Sequence, residues 1–267
     1  MKSDHTPPSK VSENGPSTSH ASGTASLDGQ SHDEIREHLH RQMLSAVSHD
    51  LKTPLSTVIG SLEVINLMGA RLSEDKRKTL IGSALTEAYR LDNFITNILD
   101  MAKFEAEAVR PRPQPVGLNQ LIQDALTRLG PLKARGRIEV IRGAGDDGFV
   151  SDPMLSARAI GLVIENALKH GGSRGPDGAE APVIEISPGF EEGHPCVRIR
   201  DHGAGIPADK QTLIFDKYTR LSKADQQNAG TGLGLTLCRH IMTLMGGQVS
   251  VSNHEDGGAV FKLCWPK

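Results

Sequence analysis

A histidine followed at once by an aspartate stands inside a run with helical apolar spacing, Ser48-His49-Asp50-Leu51-Lys52-Thr53-Pro54-Leu55. Neutral imidazole is a competent nucleophile, and its ordinary pKa leaves much of it neutral at pH 7. The Asp50 carboxylate can hold the proton on one ring nitrogen of His49, which frees the other nitrogen to attack. Thr53, one turn further on, shares the helix face of His49. Pro54 removes a backbone hydrogen bond and bends the helix just past the histidine. Taken alone, the His-Asp pair is better read as a surface histidine beside a capping-type aspartate in a kinked helix.

A second constellation lies more than a hundred residues downstream. Glu165-Asn166-Ala167-Leu168-Lys169-His170 closes a helix that starts at Pro153. Glu165 and Asn166 offer oxygen ligands suited to Mg²⁺, a hard cation that keeps several waters. Lys169 can reach phosphates. Asp201-His202-Gly203-Ala204-Gly205-Ile206 follows a strand directly. Its glycines permit a tight turn and close backbone approach to a ligand, and Asp201 at the strand end can accept from the exocyclic amine of a base. Gly230-Thr231-Gly232-Leu233-Gly234-Leu235 opens a helix, where exposed N–H groups and the helix dipole favour a polyphosphate. A dinucleotide fingerprint requires a strand leading straight into such glycines. Lys223–Ala229 is polar and loop-like, so that reading is disfavoured. Between the motifs, Phe215-Asp216-Lys217-Tyr218 and the polar stretch after it suggest a cover over the nucleotide, although the two aromatics equally suit core anchors. Each motif alone has a bland explanation as a helix end, a turn or a loop.

Their joint order and spacing resembles the sensor histidine kinases. The octapeptide around His49 is similar to that family's H-box. The downstream motifs are similar to the N, G1, F and G2 boxes of its ATP-binding domain, within the gyrase/heat-shock-chaperone/mismatch-repair ATPase superfamily. The resemblance covers roughly residues 40–267. It implies His49 as phosphoacceptor, Asp50 as general base, and Thr53 as the residue orienting water when a partner is dephosphorylated. It implies Asn166 as Mg²⁺ ligand assisted by Glu165, Lys169 on phosphates and Asp201 on adenine. Around the ATP it groups His170, Gly203, Gly205, Ile206, Phe215, Tyr218, Gly230, Thr231, Gly232, Leu233, Gly234 and Leu235. His170 stands where the family often has tyrosine, and Tyr218 where phenylalanine is commoner. Ile214–Lys217 and Leu237–Ile241, with the H-box, look closest to the potassium-responsive osmosensing class, which implies a large sensory region outside this chain. The implied activity is ATP-dependent autophosphorylation of His49 and transfer to an aspartate of a response-regulator receiver domain. An ATP-binding phosphatase or scaffold for such a regulator is the alternative. An ATP-driven clamp of the same superfamily is disfavoured, since those relatives lack the two-helix H-box hairpin.

The elements that must position these residues follow from periodicity. Residues 1–30 are rich in Ser, Gly, Pro, Thr and His, and this composition predicts a disordered tail. Apolar residues from Ile35 to Ile65 recur at helical spacing. Gly69-Ala70-Arg71-Leu72 breaks the run, and Ser73 can cap a second helix with Asp75 and Lys76 in its first turn. Residues 31–109 are thus expected to form a helical hairpin. Its apolar stripes stay wet unless two hairpins pair, which predicts a homodimeric four-helix bundle. Pro111, Pro113 and Pro115 mark a stiff linker over 110–117. Residues 118–267 then alternate. Helices are expected at Leu118–Leu129, Pro153–His170 and Leu233–Met245, with strands at Arg137–Arg142, Val183–Ser187, Cys196–Arg200, Gln248–Ser252 and Ala259–Cys264. A Gly/Pro-containing turn is expected between the second and third strands. That order predicts an α+β sandwich, a mixed sheet covered by helices on one face.

The composition suits a soluble globular protein, with 37% hydrophobic and 23% charged residues. A formal net charge of -2 gives no chain-wide nucleic-acid footprint. With only 3% aromatic residues, aliphatic side chains must supply most of the core. Val58–Met68 falls far short of a membrane span, and the N-terminus lacks the apolar core of a signal peptide. The chain is therefore expected to be soluble and cytoplasmic, with no membrane contact of its own, although a parent protein with spans remains compatible. Cys196, Cys238 and Cys264 are widely spaced with no CxxC pair, and we expect three reduced thiols.

Overall fold

The computed structural model describes residues 48, 51–141, 148–172, 181–217, 219 and 232–267. Helix α1 covers residues 51–68. A short 3-10 turn at Gly69–Arg71, entered through a positive φ at Gly69, reverses the chain. Helix α2, Glu74–Glu105, begins where the Ser73 hydroxyl accepts from the Lys76 N–H. Glu74 and Asp75 in its first turn and Lys103 in its last complement the helix dipole.

The residues expected to act as a linker end in a strand. Strand β1, Gln114–Val116, pairs antiparallel with β3, Phe149–Ser151. The segment is also tied down by the Arg112 N–H, which donates to Asp152 Oδ2 at 2.7 Å. Asp152 uses its other oxygen to cap helix α4, Pro153–His170, by accepting from the Leu155 N–H at 3.0 Å. The proline at α4's first position forgoes a donor that would have no partner there.

The main sheet has the order β2-β4-β5-β7-β6. Strand β2, Arg137–Val140, runs parallel to β4, Val183–Glu191. Strands β5, His194–Arg200, β6, Gln248–Asn253, and β7, Ala259–Cys264, complete it in antiparallel pairs. The mixed sheet is as expected. Helices α3, Leu118–Arg128, α4 and α5, Gly234–Leu244, pack on one face of it. Ile184, Ile186, Val197, Ile199, Phe261 and Leu263 point into that layer and are buried. The alternate positions Glu185, Ser187, Arg198, Arg200 and Lys262 form the polar opposite face. Trp265 closes one end of the core, and its indole N–H donates to the Ser156 hydroxyl at 3.1 Å. No helix among the described residues is long and apolar enough to cross a membrane.

Two expectations need correction. Strand β4 does not stop at Ser187 but runs on through Pro188 and Gly189 to Glu191, ahead of the Gly-containing turn. The chain turns at Glu192 and Gly193, both with positive φ, as a two-residue hairpin prefers. Pro188 stays in strand because β2 has already ended, so β4 is an edge there and needs no further ladder donor. The second correction concerns the cysteines. Cys196 and Cys264 are not reduced thiols but a disulfide. They are 68 residues apart in sequence, yet β5 and β7 place them directly opposite, with Cα atoms 4.2 Å apart. Cys238 alone is free, and burial pushes its thiol up to about 12.

Candidate functional site

The site grows from the end of β5. Asp201 is 4% exposed, and its Oδ1 accepts from the backbone N–H of Gly203 at 2.9 Å and of Ala259 at 3.0 Å. Its own N–H donates to the Ala259 carbonyl. One carboxylate oxygen is thus held by two backbone donors. The other has no hydrogen bond to a described residue and remains for an incoming donor.

Four glycines press the loop after Asp201 against its surroundings. A Cβ on Gly203 would collide with the His170 carbonyl at the end of α4, and one on Gly258 with the Asp201 carbonyl. Gly171 leaves its Cβ position 3.2 Å from the Asp201 Cβ, and Gly172, at φ +84°, lies against His202. The end of α4, the β5 loop and the start of β7 therefore meet without side chains between their backbones. Further along, Gly205 has φ +72°. The Asn253 side chain secures both backbone groups of Ile206. Its Oδ1 accepts from the Ile206 N–H at 2.8 Å, and its Nδ2 donates to the Ile206 carbonyl at 2.8 Å. Gly171, Gly172 and Gly258 stand outside the motifs that the sequence singled out. Asn253 carried no signal at all.

On α4, Glu165 and Asn166 are half-buried while Lys169 and His170 are exposed. Desolvation raises the Glu165 carboxyl above its usual range, against the opposing charges of Lys169 and Arg158. Although Lys169 is exposed by surface area, the density of protein around its ammonium disfavours the charged form, with Glu165 acting the other way. Its solvent contact limits that effect, so we treat it as a cation.

Part of the expected cover lies among the described residues. Phe215 is a core anchor, buried and edge-on to Phe261 with ring centroids 6.5 Å apart. Gly232, at φ +62°, turns the chain into α5, and its carbonyl accepts from the Thr236 hydroxyl. Leu233 is buried, and Gly234 and Leu235 are half-buried in the first turn. No described side chain caps α5, so its N-terminal N–H groups suit an anion. Tyr218, Gly230 and Thr231 lie outside the described residues, as do His49 and Asp50. Thr53 is exposed on α1, and its carbonyl accepts from the Thr57 hydroxyl at 3.3 Å. The structure thus gathers the α4, β5-loop and α5 residues at one end of the sheet.

Comparison with known proteins agrees with this geometry. Residues 39–107 match the His Kinase A (phospho-acceptor) domain model. Residues 151–267 match the model of the histidine kinase-, DNA gyrase B- and HSP90-like ATPases. Among curated relatives, the sensor protein KdpD of Escherichia coli is 29% identical over 240 residues, which cover 87% of this chain and 25% of that protein. The sensor histidine kinase RcsC of Salmonella typhi is 27% identical over 84% of this chain and 23% of its own length. The chain therefore spans about a quarter of the curated relatives it matches. In fold, it is similar to the Acinetobacter baumannii histidine kinase AdeS, with a TM-score of 0.58 at 18% identity over 81% of this chain and 96% of that one. Full-length ShkA in complex with AMPPNP gives a TM-score of 0.53 at 21% identity, over 85% of this chain and 45% of that one.

Proposed function

Since this chain belongs to the sensor histidine kinases, we propose that it transfers the γ-phosphoryl group of ATP to His49 and passes it to an aspartate on a response-regulator receiver domain. The observation that carries the ATP reading is the Asp201 carboxylate, fixed through Oδ1 by two backbone donors with its second oxygen left for an exocyclic amine. The N-terminus of α5 then takes the phosphates through its helix dipole, with Lys169 as a further cation for them.

Glu165 and Asn166 fit Mg²⁺ in the chemistry of their donors. Both present oxygen, and a site with one or two protein ligands suits a cation that shares its shell with phosphates and water. When bound, the cation supplies charge neutralisation at the phosphoryl oxygens. The chain's own residues do the rest. Asp50 takes the proton from one ring nitrogen of His49, and the other attacks the γ-phosphorus in line as the bond to the β-bridging oxygen breaks. Positioning and electrostatics carry most of such a transfer. To Thr53, exposed on α1, we assign the orientation of water for hydrolysis of the receiver's phosphoryl group.

The hairpin supports a homodimer. Leu55, Ile59, Leu62, Leu85 and Leu99 are exposed, and Leu67 is 82% exposed. A stripe of this length on one chain calls for a second copy. A requirement for ATP supports a cytoplasmic location.

The test is incubation with γ-labelled ATP, followed by addition of a receiver domain. Wild type acquires an acid-labile, base-stable label and hands it on. His49→Gln abolishes the label while ATP binding persists, and Asn166→Ala loses it through the nucleotide site. A label retained in His49→Gln removes that residue from the role. No label, with dephosphorylation of a phosphorylated receiver, assigns the chain to the phosphatase class instead.

A further inference from the structure

Arg158 lies on α4 seven residues before Glu165, so the two share one helix face. Its Nη2 donates to Asn97 Oδ1 at 2.6 Å, and its Nε lies 3.5 Å from Asp100 Oδ2. Its Nη1 is 4.0 Å from Glu165 Oε1. Asn97 and Asp100 belong to α2, and Asn97 is a buried polar residue at 7% exposure. One guanidinium therefore touches the helical hairpin and the acidic neighbour of Asn166 together.

The arginine is not optimally satisfied. Its Nε is buried and makes no hydrogen bond among the described residues. Enclosing a cation with one N–H short of a partner costs desolvation that the ion pairs only partly offset, and an apolar contact would hold the two helices at lower cost. The residue type thus points to a contact that has to be directional. Two more contacts join α2 to the same domain. Lys217 Nζ pairs with Glu105, and the rings of Phe104 and His240 lie 6.4 Å apart. The face of α4 turned towards α2 also carries Lys169, whose ammonium feels the charge of Arg90 on α2.

We propose that Arg158 is a positioning residue for phosphoryl transfer, docking α4 on α2 through Asn97 and Asp100. The inference rests on the kinase reading above. It predicts that binding and transfer separate, because Arg158 governs the placement of the domain rather than its grip on ATP.

The experiment uses the full chain as wild type, Arg158→Glu, Asp100→Arg and the double exchange. Three quantities are read: the labelling rate at saturating ATP, the Kd for a fluorescent ATP analogue, and the yield of a zero-length carbodiimide cross-link between Lys217 and Glu105. Arg158→Glu should slow labelling on the order of 10- to 100-fold, the scale of a displaced reacting geometry. It should also lower the cross-link yield and leave the Kd within about threefold, well under one decade of affinity. The double exchange, which restores an opposite-charge pair, should recover both rate and cross-link. Labelling that is unchanged or faster in Arg158→Glu overturns the inference, as does a Kd that rises in step with the loss of rate. A wild type that cross-links in an Arg158-dependent manner but never labels sinks the kinase reading and the catalytic role with it. Arg158-independent labelling sinks the inference alone.

Discussion

At the scale of single residues, the site depends on two carboxylates in opposite situations. Asp201 is buried but held by backbone donors, and its value is the oxygen it keeps free. Asp201→Asn retains an oxygen for Gly203 and Ala259 but removes the charge. We expect ATP affinity to fall on the order of 10- to 100-fold, the range for losing a charge-assisted hydrogen bond, with little change in fold by circular dichroism. Titration calorimetry reads it, and an unchanged affinity would take adenine recognition away from this residue. Glu165 is desolvated, and its folded pKa lies above the unfolded value. The native state then binds more protons than the unfolded state between those two pKa values. Stability contributed by this group is greatest below the unfolded pKa and declines as pH rises through the raised folded one. Glu165→Gln should flatten that decline in denaturant melts run across pH, and at neutral pH it should raise the melting temperature while slowing labelling. A variant with the wild-type slope would show that the carboxyl does not titrate in that window.

Among the elements, β5 and β7 do most to hold the site. Asp201 follows the last residue of β5, and Ala259, which donates to it, opens β7. The disulfide joins the same two strands at their other end. The segment it closes, with a sequence separation of 68, contains the β5 loop, α5 and β6, so cross-linking it restricts the unfolded chain by roughly 4 kcal/mol in the entropy model. Cys196→Ser with Cys264→Ser should therefore lower the melting temperature by several degrees while ATP still binds, because Asp201 sits beyond the ladder from the bond. Equal melting of wild type and variant under oxidising conditions would mean the bond contributes nothing. Arg158 plays the corresponding part between α4 and α2, where charge rather than a covalent bond sets the alignment.

For the whole molecule, the hairpin is the incomplete part. Its exposed leucines and isoleucines have no partner layer among the described residues, whereas the sheet and its three helices bury a continuous core. Leu62→Glu should convert a dimer into a monomer in sedimentation and abolish labelling, yet leave ATP binding intact. Persistence of the dimer would relocate its interface. Much of this arrangement was legible beforehand. The apolar periods announced the hairpin and the mixed sheet, and Ser73 and Pro153 marked where helices begin. The glycine motifs and Asp201 were legible as a candidate nucleotide site because helix ends and strand-end loops are built from near neighbours in sequence. The Cys196–Cys264 bond, the Asn253 clasp on Ile206, the fit of Gly258 against Asp201 and the reach of Arg158 to Asn97 were not legible. Each joins residues at least 47 positions apart. Local propensity and periodicity are short-range quantities, and only strand pairing and helix packing decide which distant side chains share a few cubic ångströms.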